Sequence, residues 1–307
     1  MAVALGIEGL RVGHFTDRAA HTGCTVILPP AGNVASVFVA GGAPATHETD
    51  LLAPGMKIAE VHAILLTGGS AFGLAAAGGV MRWLEDKGTG YQTPIAVVPI
   101  VPAAGIFDLW PGDPTRRPTA EDATAACEAA ADQTEEGNVG AGTGATVGKH
   151  RGPAGAVKGG LGYGLVSDGD LRVGAFAVVN AVGDVYDDGG HVIAGSRLAP
   201  GSANPWSAPA TTLCCVVTNA ALSKEQIHRV ARSGSSGLAR AVRPAATMSD
   251  GDAVFAVATG EIEASVDAVG ALAADAVATA IRRAVLAAES IPDVPACTAP
   301  DGAPFAG

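Results

Sequence analysis

Residues 207–222, SAPATTLCCVVTNAAL, run from a Pro/Ser/Ala stretch into Thr211 and Thr212 and then into an apolar strand. A threonine hydroxyl is a weak nucleophile until a base takes its proton. Were the chain cut before Thr211, the freed α-amine would sit on the same residue as the hydroxyl. Such amines titrate at about 7.7–8.0, so many are neutral near pH 7.5 and can accept the hydroxyl proton directly or through one water. One residue would then supply both nucleophile and base. A Thr-Thr pair is also an ordinary way to begin a strand, and spacing alone favours that plainer reading.

Other stretches suggest other chemistry and fall short of it. GGSAFG (68–73) follows an apolar run and opens a helical one, as a phosphate loop does, but its glycines are not in G-x-G-x-x-G order. GAGTGATVGKH (140–150) has Thr143 where a P-loop needs glycine, and His150 where Ser/Thr would hold magnesium. No G-x-S-x-G elbow is present, and the seven histidines show no metal-ligand spacing. The five cysteines include no CxxC and are read as reduced, buried thiols of a cytoplasmic protein. Neither a metal nor a cofactor is expected.

The chain has 307 residues, 48% of them apolar but only 4% aromatic, so Ala, Val and Gly must do most of the packing. A net charge of −11 argues against nucleic acid or an anionic membrane as partner. The N-terminus lacks a basic and then apolar leader pattern. Residues 63–81 are uncharged and long enough to mimic a membrane span. They change period at Thr-Gly-Gly-Ser, however, which reads as strand, tight turn and buried helix.

Strand-like runs fall at about 24–28, 34–39, 61–66, 94–101, 171–180, 184–187, 211–218 and 253–258. Helical periodicity predicts helices at about 71–86, 120–136, 224–242 and 266–289. Thr119 caps the second, and Ser223 with Gln226 forms a capping box on the third. Elements come in blocks rather than strict β-α-β alternation, which favours a layered α+β fold with helices outside a sheet core. Residues 188–210 read as a long exposed loop, and the Pro-rich segment 291–307 as a disordered tail. Ser70 reads as an N-cap, and Phe72 and Trp83 as core.

Five blocks in colinear order carry a resemblance: TGGSAFGLAAAGGVMRWLE (67–85), GNVGAGTGATVGK (137–149), AFAVVNAVGDV (175–185), TTLCCVVTNAALSKEQ (211–226) and DGDAVFAVATGE (250–261). With GGAPATHETDLL (41–52), they make the chain resemble the DmpA/NylC-type self-processing peptidases across roughly residues 7–290. That family comprises L-aminopeptidase/D-esterases, β-peptidyl aminopeptidases and endo-type 6-aminohexanoate-oligomer hydrolases. The resemblance implies a four-layer αββα sandwich related to the N-terminal-nucleophile hydrolases, in a single catalytic domain over 1–290. It implies self-cleavage between Ala210 and Thr211 into an α chain (1–210) and a β chain (211–307), and assembly of the cut pairs into homotetramers.

The same resemblance makes Thr211 the nucleophile and Asn180 the oxyanion donor. Lys149 becomes the active-site lysine, whose cation could hold the amine neutral or stabilise negative charge, and Asp250 and Asp252 the acidic pair that orients the threonine. It places Ser70 and Phe107 near the substrate pocket. Each has a plainer alternative: Lys149 in a solvated basic turn, Asn180 as a turn residue, Asp250-Gly251-Asp252 as turn chemistry before a strand. Two departures stand out. Ala210 precedes the nucleophile where the family often has Asn or Gly, and Phe107 stands where the nylon-oligomer enzymes carry a tyrosine, so a hydroxyl is lost there.

The expected function is amide hydrolysis on short peptides, amino-acid amides or esters, including β- or D-residues. The alternatives are endo-cleavage of 6-aminohexanoate oligomers, acyl transfer on a related fold and, from another class, an uncut small-molecule-binding protein.

Overall fold

The structure, a computed structural model, describes residues 2–199, 201 and 209–297. Its main strands are β1 (Arg11–Asp17), β2 (Thr22–Leu28), β3 (Val34–Val39), β4 (Thr46–His47), β5 (Ile64–Thr67), β6 (Ala103–Gly105), β7 (Gly160–Asp168), β8 (Leu171–Asn180), β9 (Thr211–Ala221) and β10 (Ala253–Glu263). The helices that cover them are α1 (Ala77–Glu85), α2 (Ala120–Glu128), α3 (Lys224–Ala241) and α4 (Val266–Leu286).

One sheet has the order β7-β8-β9-β10-β3 and the other β1-β2-β5-β6-β4. Pairing is antiparallel except for β9–β10 and β5–β6. A parallel neighbour needs a crossover, and α3 provides it between β9 and β10. Side chains alternate between the two faces of each strand, and here both faces are buried. On β9, Leu213, Cys215 and Val217 face the other sheet, where they meet Ile27, Ile64 and Leu66. Cys214 and Val216 face α3 and α4, against Val230 and Val277. On the far side, Val26 and Leu65 pack against Val80 of α1 and Ala126 of α2. The layers are therefore helix, sheet, sheet, helix. Double burial also explains why these strands read as continuous apolar runs.

Small residues set the spacing between layers. On β7, a Cβ added at Gly162 would lie 2.2 Å from the Ala280 carbonyl oxygen, and one at Gly164 2.5 Å from that of Ala276. Glycine every second residue lets α4 lie with its backbone directly on the strand. Helix α3 starts at the expected capping box, with Ser223 and Gln226 each bonding the other's backbone N–H.

Several expectations need correction. The helix foreseen over 120–136 ends at Glu128, because the next residues leave to pair with strand edges: Ala131 exchanges backbone bonds with Val12, and Gln133–Thr134 pairs with Val3–Ala4. The 71–86 helix is broken into a turn at Ser70–Gly73, a 3-10 turn at Leu74–Ala76 and α1. The 94–101 strand shrinks to Val97–Val98. Residues 188–210 contain a short strand, Val192–Ala194, and residues 200 and 202–208 lie outside the described residues. The Pro-rich segment does not begin as a loose tail. Lys158 donates its backbone N–H to Pro295, and Val294, Ala296 and Cys297 are buried, while 298–307 lie outside the described residues. Strands β1, β4, β6 and β7 had no counterpart in the periodicity. All five cysteines are free and buried. Among the described residues no helix is long and apolar enough to cross a membrane.

Candidate active site

Thr211 is the first residue of β9, and its Cα partner across the antiparallel ladder is Asn180, the last residue of β8. Strand parity turns Thr211 and Asn180 toward the inter-sheet face, at the mouth of the sandwich. Thr212 turns the other way, toward the helices, and its hydroxyl is buried with no hydrogen-bond partner. The two threonines of the seam thus have different environments, and only Thr211 faces the polar groups.

Those groups form one network. The Asn180 Oδ1 accepts from the Thr146 N–H (3.0 Å), the Thr146 hydroxyl (3.3 Å) and the Lys149 Nζ (2.8 Å). Three donors on one oxygen fix which way the amide points. Its Nδ2 is therefore the outward donor, and here it bonds the Phe107 carbonyl at 3.0 Å. Lys149 Nζ also donates to the Asn180 carbonyl at 3.0 Å and is 2% exposed. Burial lowers its pKa to about 7, against the pull of Asp250 and Asp252, which raise it. Lys149 is therefore not the lysine of a solvated turn.

The two aspartates grip backbone. Asp252 accepts from the N–H groups of Thr212 (2.6 Å) and Ala246 (2.8 Å). Burial, with Asp250 adding to it, raises its pKa to about 6. Asp250 accepts from the Thr247 N–H (3.0 Å) and hydroxyl (2.6 Å). Between them Gly251 donates its N–H to the Ala210 carbonyl at 2.8 Å. Ala210 donates its own N–H to the Ser249 carbonyl at 3.2 Å, so it docks as a one-residue parallel bridge on this turn. The Thr211 Oγ1 donates to the same Ala210 carbonyl at 2.6 Å. A Cβ at position 251 would lie 2.7 Å from the Thr211 Oγ1, which explains the glycine.

The structure thus brings Thr211, Asn180, Lys149, Asp250 and Asp252 together around the Ala210 carbonyl. Phe107 joins them through its backbone rather than its ring. Ser70 is not a cap: Gly69 occupies the cap position and Ser70 is the first helical residue, with φ +55°. Phe72 is not core; it is 59% exposed, with the Arg117 guanidinium 4.0 Å from its ring centre. Trp83 is half-buried. Sequence reasoning passed over Thr146, which shares Asn180 Oδ1, and the donor role of the Gly251 N–H. It also missed a second buried charge cluster, Asp108 and Lys158, each 2% exposed or less. Each of these is the lone charge in a long uncharged run, 94–112 and 152–166, and that isolation is the signal that could have found it. Among the described residues no group of three His, Cys, Asp or Glu side chains could hold a metal.

Two sheets packed face to face between helix layers form the sandwich of the Ntn hydrolase fold. An L-aminopeptidase D-Ala-esterase/amidase from Ochrobactrum anthropi, described as a variant of that fold, superposes with a TM-score of 0.73 at 22% identity, over 95% of this chain and 88% of that one. The chain belongs to peptidase family S58, the DmpA/NylC family, whose model matches residues 5–296. An uncharacterised aminopeptidase of Mycobacterium leprae is 44% identical, covering 94% of this chain and 91% of the relative. A 6-aminohexanoate-oligomer endohydrolase of a Kocuria species is 30% identical over 83% of this chain and 74% of the relative.

Proposed function

We propose that this chain is an amide hydrolase that first cuts itself between Ala210 and Thr211 and then uses the new N-terminal threonine on short peptides, amino-acid amides or esters. The observation that carries the reading is the Ala210 carbonyl, held by the Gly251 N–H and the Thr211 hydroxyl in the middle of the buried polar network. In the first stage the Thr211 oxygen bonds to the Ala210 carbonyl carbon and that carbon's bond to the Thr211 nitrogen breaks. The nitrogen takes the hydroxyl proton, leaving an ester. Water hydrolyses the ester to an Ala210 carboxylate and a Thr211 with free amine and hydroxyl. The Gly251 N–H is aimed at the oxygen that becomes negative, which is where preorganised donors act most strongly.

In the second stage the Thr211 amine takes the hydroxyl proton and the oxygen attacks a substrate carbonyl. Asn180 Nδ2, released from Phe107, and the Gly251 N–H stabilise the oxyanion. The amine passes its proton to the leaving nitrogen, and water frees the acyl group. To the extent that Lys149 is charged, it disfavours protonation of the nearby amine and so keeps it a base. Endo-cleavage of 6-aminohexanoate oligomers is the second reading, favoured by the 30% identical relative; Phe107 in place of tyrosine weighs against it. Turnover of those oligomers against a panel of aminoacyl p-nitroanilides separates the two. Cut pairs assembled as tetramers would show as a fourfold mass by light scattering.

The test of the reading is intact mass. Purified wild type should give fragments 1–210 and 211–307, while Thr211→Ala should stay whole and lose at least about a thousandfold in turnover. A wild-type chain that remains uncut yet hydrolyses amides at full rate overturns it.

A further inference from the structure

The catalytic reading leaves Asp108 unused, although it is buried and its carboxylate is fully engaged. Asp108 Oδ1 accepts the Gly69 N–H at 2.6 Å, and Oδ2 accepts the Thr22 hydroxyl at 2.7 Å. It follows Phe107, whose carbonyl bonds Asn180 Nδ2, and its hydrogen-bond partner Gly69 precedes Ser70. The two segments are laced at three points: Ile106 N–H to the Thr67 carbonyl (2.8 Å), Ser70 N–H to the Ile106 carbonyl (2.8 Å) and Gly69 N–H to Asp108. Only the last uses a side chain.

The turn it holds is strained. Gly69 has φ +78° and Ser70 φ +55°, and a non-glycine residue in that region costs on the order of 1–3 kcal/mol and persists only where its surroundings impose it. The fit is also tight. A Cβ at Gly68 would lie 2.0 Å from Asp108 Oδ2, and one at Gly144 2.7 Å from the Asp108 Cβ. Behind the carboxylate, Lys158 donates to the carbonyls of Gly142, Ala145 and Gly159, at the start of the turn that carries Thr146 to Asn180.

We propose that Asp108 is a positioning residue, whose hydrogen bond to Gly69 locks the strained Ser70 turn against the Phe107 segment and so presets the backbone beside Asn180, against which the acyl group of a substrate would lie. This rests on the hydrolase reading above. Its mark is a split between binding and chemistry. Asn180 keeps its orientation through the three donors on Oδ1, and the Ala210 carbonyl is held by Gly251 and its own covalent attachment, so neither turnover of bound substrate nor self-cleavage depends on Asp108.

The experiment measures self-cleavage by intact mass, and KM and kcat on the best-hydrolysed aminoacyl p-nitroanilide. Asp108→Ala is expected to cut itself completely, raise KM about tenfold and keep kcat within about threefold. Asp108→Asn, whose amide oxygen still accepts from Gly69 and whose amide nitrogen can donate to the Thr22 oxygen, is expected to bring KM back to within about threefold of wild type. A wild-type KM in Asp108→Ala, a parallel fall in kcat and self-cleavage, or an asparagine variant no better than alanine overturns the proposal. Should Asp108→Ala fail to fold, Thr22→Val decides: it removes one of the two bonds to the same carboxylate and should raise KM about two- to threefold at constant kcat, and no change in KM overturns the proposal. A wild-type chain that stays whole and inactive removes the hydrolase reading together with this one; a cut, active wild type with a normal KM in Asp108→Ala removes this one alone.

Discussion

Two buried lysines, Lys149 and Lys158, sit in this molecule with nearly the same electrostatics. Burial lowers each to a pKa of about 7, and each has a buried aspartate nearby, Asp252 or Asp108, that burial raises to about 6. Their partners differ. Lys149 bonds a side-chain oxygen and a carbonyl of Asn180, directly across the ladder from Thr211. Lys158 bonds three backbone carbonyls, those of Gly142, Ala145 and Gly159. The same desolvation cost therefore supports two jobs. On the proposed reading one charge faces the atoms that cleavage would change, and the other braces a turn. A perturbed pKa alone does not distinguish a reactive group from a structural one; what the group bonds to does.

The sharpest way to break this contrast is to replace each lysine with methionine. Lys149→Met should cost about a hundredfold or more in self-cleavage and turnover, because the group bonded to Asn180 opposite Thr211 is gone. Lys158→Met should still cut itself, but it leaves Asp108 without its nearby cation and the Gly159 carbonyl without a side-chain donor. A loss of about 2 kcal/mol is expected, or about 5 °C in Tm. Mass spectrometry and calorimetry on the two variants read both effects, and a reversed pattern would exchange the roles assigned here.

A smaller change probes the first cluster through its backbone. Gly251→Ala puts a methyl group 2.7 Å from the Thr211 Oγ1 and 2.9 Å from the Ala43 carbonyl oxygen. Self-cleavage should slow about tenfold, seen as persistent full-length mass in a time course. Cleavage at the wild-type rate would mean the Gly251 N–H is not the donor at the scissile carbonyl.

The mildest test uses pH. Asp252 and Asp108 ionise at about 6 in the folded chain against 3.8 for the free side chain, so folding takes up protons between those values. The penalty for keeping each carboxylate charged is full above about pH 6 and fades as pH falls toward 4. Relative to wild type, Asp252→Asn and Asp108→Asn should each lose stability on going from pH 7 to pH 4.5, by on the order of 1–3 kcal/mol in urea unfolding. Their stability profiles should match, whereas only Asp252→Asn should slow cleavage. If the two differ in stability slope but not in cleavage, the comparison has been drawn in the wrong place.

Much of this was readable from residue order. The block pattern of strands and helices pointed to layers, and apolar runs such as 211–218 marked strands because both their faces are buried. Strand β7 was missed for a physical reason. Its sequence, GLGYGLVSD, has the glycines that isolated strands avoid, and only the close approach of α4 explains them. Helix α2 was drawn too long because an Ala-rich run favours helix until neighbouring strand edges compete for its backbone. At the site, Thr211, Asn180, Lys149, Asp250 and Asp252 came from family resemblance, since their spacing in sequence, from 149 to 252, carries no geometric signal. Asp108 and Lys158 lie outside any motif, and only the fold sets them behind the same two loops.

The strand order β7-β8-β9-β10-β3 has one more consequence. Scission before Thr211 would assign β9 and β10 to the shorter piece, yet their neighbours on either side, β8 and β3, would stay with the longer one. The longer piece would keep the second sheet whole with α1 and α2, but the first sheet would be shared, with β9 and β10 wedged between β8 and β3 like the teeth of one comb in another. The nick would free a chain end without freeing a part, and the halves should migrate as one body in native electrophoresis, separating only when denaturant unzips both ladders.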